Sequence, residues 1–177
     1  MKNELTETIT GGLEPQELRR ELQEKQTKSL RRRRAIIGLS LLGMGAMTMV
    51  SLFQTGVIKH LPDPPIDGFD SDKVNSSDTA YALGVPDGTL SLASLAANIP
   101  IAAFGGANRA EEQPVVPVLA AGKAIIEAVV AGWYFYQMPA VEKAWCGYCI
   151  VGAAANMGIA ALSLPEAIEA LEMLIDE

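Results

Sequence analysis

Twenty-four consecutive uncharged residues, Ala35 to Ile58, follow directly on Arg31, Arg32, Arg33 and Arg34. About 20 residues of helix cross the hydrocarbon core of a bilayer, so this stretch is long enough to span one. Positively charged flanks stay on the cytoplasmic side, which puts the N-terminus inside and sends the first span outward. A cleaved signal peptide fits poorly, because the apolar stretch is too long and no small-x-small site follows it. A twin-arginine export signal fits poorly too, because three more apolar stretches follow.

Those stretches run from Gly88 to Ala107, from Pro114 to Tyr136 with Lys123 and Glu127 inside it, and from Trp145 to Leu164, where Pro165 is expected to stop the helix. The sequence therefore predicts an all-α integral membrane protein. Its four-helix bundle has spans at about 35–58, 88–107, 114–136 and 145–164, with both termini cytoplasmic. Residues 59–87 and the turn near Gln137 to Lys143 then face outward. Trp133, Tyr134, Tyr136, Trp145 and Tyr148 gather at the outer ends of spans three and four, as interfacial aromatics do. Gly38, Gly43, Gly45, Gly152 and Gly158 are the small residues that let such helices approach closely. Residues 1–34 read as a charged cytoplasmic segment, helical from Pro15 to Arg34, and 165–177 as an amphipathic cytoplasmic tail on the membrane surface.

Charge supports this division. Residues 1–34 hold nine of the fourteen Lys and Arg, and the rest of the 177-residue chain carries five basic and fifteen acidic side chains. The only basic cluster abuts a hydrophobic run, which argues against a nucleic-acid partner and for a lipid bilayer. With 49% hydrophobic residues, the chain is too apolar to stay solvated as a disordered one.

The two cysteines, Cys146 and Cys149, stand in Trp145-Cys146-Gly147-Tyr148-Cys149. Three residues apart, they share one helix face and are close enough to form a disulfide. A Cys-x-x-Cys pair also suits redox chemistry, one thiol with a lowered pKa and the other able to resolve a mixed disulfide. A metal site is disfavoured, since structural zinc takes four ligands and His60 is the only histidine. Two small buried apolar residues remain the alternative. The outward loop carries six aspartates in 59–87 against Lys59 and Lys73, the composition of a solvated loop; its spacing does not fit a calcium-binding EF-hand. Within the spans, Lys123 and Glu127 are placed to pair with each other at membrane depth. Asn98 and Asn156 can hydrogen-bond between helices. Pro100 is expected to kink span two.

A polar loop after the first span, Ser76-Ser77, Gly84-Val85-Pro86 entering the second and Trp145-Cys146-Gly147-Tyr148-Cys149-Ile150 opening the fourth together resemble the vitamin K epoxide reductase family of membrane thiol oxidoreductases. The resemblance covers roughly residues 35–165. It implies a four-helix membrane enzyme that passes electrons between thiols and a quinone held among the helices. The substrate would be ubiquinone, menaquinone, phylloquinone or plastoquinone, and no metal is implied. A thioredoxin-like dithiol protein on the outer side would be the partner, and the bacterial inner membrane the location.

Position by position, the resemblance implies a Cys146–Cys149 redox disulfide. Cys149 would meet the quinone, and Cys146, nearer the outer surface, would exchange with the partner. Ser77 corresponds to a loop Ser or Thr beside the active cysteines. Asp87 falls where relatives place an Asn that hydrogen-bonds a quinone oxygen, and only a protonated Asp can donate that bond. The chain departs from the family at Ser71, which stands in place of the second loop cysteine, and nothing upstream supplies the first. Ala153 gives no aromatic ring for the quinone, and Asn156 of span four is a further candidate contact for it. The alternative is a non-catalytic relative, a membrane module that binds a quinone, a lipid or a partner.

Overall fold

The computed structural model describes residues 14–176, and every regular element in them is helical. In chain order these are α1 (Pro15–Glu24), α2 (Lys28–Gln54), α3 (Ser71–Asn75), a 3-10 turn (Asp78–Tyr81), α4 (Asp87–Ala103), α5 (Arg109–Glu112), α6 (Val115–Gln137), a π turn (Met138–Glu142) and α7 (Gly147–Asp176). Three helices are long and apolar enough to cross a membrane: Lys28–Gln54, Val115–Glu142 and Gly147–Ile175. The fourth expected span forms α4, whose 17 residues lie at the short end of the spanning range.

Helix boundaries follow local chemistry more than the limits of the apolar runs. α2 starts at Lys28, before the arginines, because Thr27 Oγ1 accepts the Leu30 N–H at 3.2 Å and caps it. It ends at Gln54, short of the expected 58. Gly56 turns the chain with φ +78, and the N–H groups of Val57 and Ile58 fold back onto the Leu52 carbonyl. α4 likewise stops at Ala103 instead of 107, followed by Gly105 at φ +77.

The expected stop at Pro165 does not occur. α7 continues through it to Asp176 as one helix, so 165–176 prolongs the fourth apolar helix and is not a separate surface segment. An interior proline forfeits one backbone hydrogen bond. Glu166, the very next residue, is anchored from outside the helix by three side-chain hydrogen bonds, which hold the continuation in place.

α2 lies along α4 on one side and along α7 on the other, α6 packs on α7, and α4 and α6 barely meet. The bundle is therefore open between α4 and α6. Gly43 sits where α2 meets two neighbours at once. A Cβ there would stand 2.9 Å from Leu95 Cδ1 of α4 and 3.2 Å from Ala155 Cβ of α7. Gly38 and Gly45, expected to serve the same purpose, face open space. Along α6 the exposed Leu119, Val129 and Trp133 form an apolar outer face that suits lipid contact.

The end opposite the cysteines is locked by a buried ionic cluster. Arg33, 2% exposed, donates to the carbonyls of Ala102, Phe104, Gly105 and Gly106 at 2.7–3.0 Å, and Arg109 donates to those of Ile101 and Phe104. The two guanidiniums thus satisfy the open C-terminal end of α4, where a cation is also favoured by the helix dipole. Arg109 grips Glu166 with two bonds, 2.9 and 2.7 Å, and Ser29 Oγ adds a third at 2.6 Å. The four arginines therefore differ in role: Arg33 is a core residue, and Arg34 docks α1 by donating to the carbonyls of Leu22 and Lys25.

Two outcomes follow for thermal unfolding of the detergent-solubilised protein, followed by circular dichroism. Glu166→Ala leaves two buried guanidiniums uncompensated and lowers stability by about 3–5 kcal/mol. Gly43→Val pushes Leu95 and Ala155 aside at about 1–3 kcal/mol, whereas Gly45→Ala, in open space, is neutral or gains up to about 1 kcal/mol.

Candidate functional site

The cysteine segment is placed by a short bridge between the loop and the start of α7. After the π turn, Lys143 takes the left-handed conformation at φ 52. Trp145 then pairs with the loop, its N–H donating to the Gly68 carbonyl (2.8 Å) and its carbonyl accepting from Asp70 N (3.0 Å). Cys146 follows as the residue before α7, and its Sγ accepts the Cys149 N–H at 3.1 Å, capping the helix. The two sulfurs are joined, with Sγ–Sγ 2.35 Å and Cα–Cα 5.2 Å.

The loop is a lid. Most of it is exposed, as its composition suggests, and three of its aspartates hold its own fold. Asp63 accepts the Ser71 N–H at 2.7 Å and the Ser71 hydroxyl at 2.5 Å, and Asp70 caps α3 through Lys73 N. Asp72 accepts from Leu61 N (2.7 Å) and pairs with His60 (2.8 Å). Burial raises the Asp72 pKa, but the His60 and Leu61 bonds outweigh it and hold the carboxyl below its ordinary value. Tyr148 on α7 donates to the Pro62 carbonyl at 3.0 Å and fastens the lid's first strand. Ser71 and Cys146 are both 0% exposed under it. Cys146, on the loop side of Cys149, is buried, and the lid separates it from solution.

Cys149 faces the other way. It lines a cavity of about 440 Å³ in the opening between α4 and α6. From Cys149 the wall descends α7 through Gly152 and Ala153 to Asn156, about 10 Å away at 1.5 Å per residue. Ser77 and Thr79 of the lid close it above, with Asp87, Ser91 and Ser94 of α4 opposite and Glu127 and Tyr134 of α6 alongside. Of the residues singled out from sequence, Cys149, Ser77, Asp87 and Asn156 thus share one cavity, and Cys146 stands behind it. The Ser77 hydroxyl donates to the Val74 carbonyl (2.8 Å) and accepts from Ala80 N (3.4 Å), so it also shapes the turn above the cavity.

Several polar groups in and beside the wall are paired. Lys123 and Glu127 do pair, as expected, and Lys123 further donates to Asn98 Oδ1 (2.8 Å) and the Ser94 carbonyl (3.0 Å). Glu127 also accepts from Ser94 Oγ and from Asn98 Nδ2. Asn156 Oδ1 is buried with no hydrogen-bond partner. A buried amide left open in a cavity wall is the feature a polar ligand atom completes.

Two residues escaped the sequence reading. Gln54, the last residue of α2, donates to Asp87 Oδ1 (2.6 Å) and the Asn75 carbonyl (3.4 Å), while its own Oε1 accepts Gly88 N (3.0 Å). One amide so ties α2, the lid and the start of α4 together; its only sequence signal is a polar residue ending an apolar run. Asn75, 2% exposed, reaches both sulfurs, with Nδ2 3.2 Å from Cys146 Sγ and Oδ1 3.6 Å from Cys149 Sγ.

Comparison with known proteins gives one result. The family described as Vitamin K epoxide reductase family matches residues 34–164, and the chain belongs to it. No curated protein matches the chain. Members of that family are generally oxidoreductases that use quinones as substrate. Together with the three long apolar helices, membership makes this a membrane protein.

The lid's grip on the cysteines is open to test by the rate at which a water-soluble phosphine reduces the disulfide. Asp63→Ala frees the buried Ser71 N–H and hydroxyl, a loss of about 1–3 kcal/mol, so lid opening and reduction accelerate on the order of tenfold. The Asp72 carboxyl titrates below its ordinary value, so its bonds are intact at neutral pH and fail as pH falls through the folded-state value. Acidification therefore speeds reduction in the wild-type protein as well.

Proposed function

We propose that this member of the vitamin K epoxide reductase family is a membrane thiol–disulfide oxidoreductase, with Cys146 and Cys149 as its single redox centre and a membrane quinone as its electron acceptor. The observation that carries the reading is Cys149 in the wall of an apolar cavity that also holds an unpartnered buried amide, Asn156. The cavity, at about 440 Å³, falls within the usual range for small-molecule sites. Tyr134 of α6 supplies an aromatic ring in the wall, which Ala153 of α7 does not.

The overall reaction balances as dithiol plus quinone giving disulfide plus quinol. Two S–H bonds break and one S–S bond forms; two electrons and two protons pass to the quinone oxygens. In this chain Cys149 presents its sulfur to the cavity, Asn156 turns its amide to the ring, Nδ2 donating to a quinone oxygen and the open Oδ1 accepting a quinol O–H, and Asp87 offers a second polar contact at the lid end. The Lys123–Glu127 pair neutralises its own charge beside the cavity. With Ser71 in place of a loop cysteine, no internal thiol relay operates. The pair is instead re-reduced by a separate dithiol protein of the thioredoxin class, admitted when the lid opens. We place the four helices across a bacterial inner membrane with both termini cytoplasmic and the lid outside.

The buried, hydrogen-bonded Ser71 also suits a second reading, in which the chain binds quinone without chemistry. Membranes carrying the wild-type protein are expected to reduce a soluble naphthoquinone with dithiothreitol as reductant. Cys146→Ser and Cys149→Ser each lower that rate to background while the protein still inserts, and Asn156→Leu raises KM several-fold with kcat little changed. Activity that persists in both cysteine variants contradicts the enzyme reading and leaves the binding one.

A further inference from the structure

We infer that the end of α7 farthest from the cysteines is one strand of a parallel coiled coil, and that the other strand is α7 of a second copy of this chain. The inference stands on this helix and does not draw on the redox reading of the cysteine pair.

Met157, Ala161, Leu164, Ile168, Leu171 and Ile175 follow one another at steps of four, three, four, three and four residues. All six are exposed, so they form one apolar stripe along α7 that none of the described residues covers. Alternating steps of three and four are the repeat of a coiled-coil seam. In that frame Ile168 and Ile175 fall at position a, and Leu164 and Leu171 at position d. Isoleucine at a with leucine at d is the combination that favours two parallel strands over three or four.

The stripe outruns the bilayer. The 30 residues of α7 make a rod of about 45 Å, against about 30 Å of hydrocarbon. Because the helix starts beneath the lid, about its last ten residues pass beyond the lipid tails, with Ile168, Leu171 and Ile175 still exposed. These three also lie past residue 164, where the match to the family ends.

Lipid does not suit this end of the stripe. The bonds from Arg109 and Ser29 to Glu166 fix the direction of the helix, so it does not fold flat onto the membrane surface. After Leu164 the chain carries Glu166, Glu169, Glu172 and Asp176 and no Lys or Arg. Helices that lie on a bilayer present basic side chains to its anionic headgroups. A second copy suits it well. Insertion gives every copy the same direction, so two α7 helices meet in parallel about a twofold axis. The acidic residues stand off the seam. Glu169 pairs with Arg32 of its own chain at 3.7 Å, and Glu172, at position e, falls opposite position g, which is the neutral Ala167.

The test uses the full chain in lipid vesicles. In a Cys146→Ser, Cys149→Ser background, mild oxidation is expected to join two copies through Leu171→Cys but not through Met173→Cys, on the opposite face of the helix. Ile168→Glu with Leu171→Glu puts four carboxylates into the seam and weakens dimerisation by about a hundredfold or more, read as mass by light scattering in detergent. Met173→Glu leaves the dimer intact. All these positions are exposed, so circular dichroism of each variant stays that of the wild type. Exchanging Ile and Leu at positions 164, 168, 171 and 175 together shifts the dimer to a larger assembly, which a nonspecific apolar contact would not do. A wild-type chain that stays monomeric in vesicles, its stripe then covered by lipid or by a different protein, overturns the inference. So does equal cross-linking at 171 and 173, or a dimer that survives the double Glu variant.

Discussion

A helix bundle in a membrane cannot leave a polar group to water, so each one it buries needs a partner within the protein. That requirement organises this chain more than any single apolar contact. At one end Arg33 and Arg109 close the carbonyl end of α4, and Glu166 neutralises part of their charge while holding α7 straight through Pro165. At mid-depth Lys123, Glu127, Ser94 and Asn98 satisfy one another across α4 and α6. At the other end Gln54 joins α2 to the lid and to α4. The sparse contact between α4 and α6 is tolerable because these polar bridges supply what packing does not.

The same rule marks the site by its exception. Asn156 Oδ1 is buried and unpaired, and it opens on the cavity that Cys149 also lines. The lid supplies the rest of the asymmetry. It hides Cys146 beneath a helix that donates to its sulfur, and it leaves Cys149 on the cavity side. Ser71 clamps the lid shut through Asp63.

Much of the scaffold is legible in the sequence, because uncharged runs and flanking arginines carry the physics of insertion. The helices α2, α4, α6 and α7 grow from the four apolar stretches that were expected to span. Their ends were not legible where the cause lies far along the chain: nothing near Pro165 announces that Arg109 and Ser29 will hold Glu166. Arg33 is likewise indistinguishable from its three neighbours until α4's carbonyls are brought to it. At the site, Cys149, Ser77, Asp87 and Asn156 could be singled out from motif and polarity, and they meet at one cavity. Asn75 could not: it is the only amide side chain of the 59–87 loop, but only the fold shows that it reaches the sulfurs.

The central claim is that a single buried pair of thiols delivers two electrons to a quinone. The direct measurement is an anaerobic titration of the fully reduced protein, in lipid nanodiscs, with a soluble naphthoquinone, counting free thiols and quinol formed at each addition. The account predicts two thiols lost, from Cys146 and Cys149, for every quinol that appears. Quinone that binds the protein while both thiols stay reduced would contradict it.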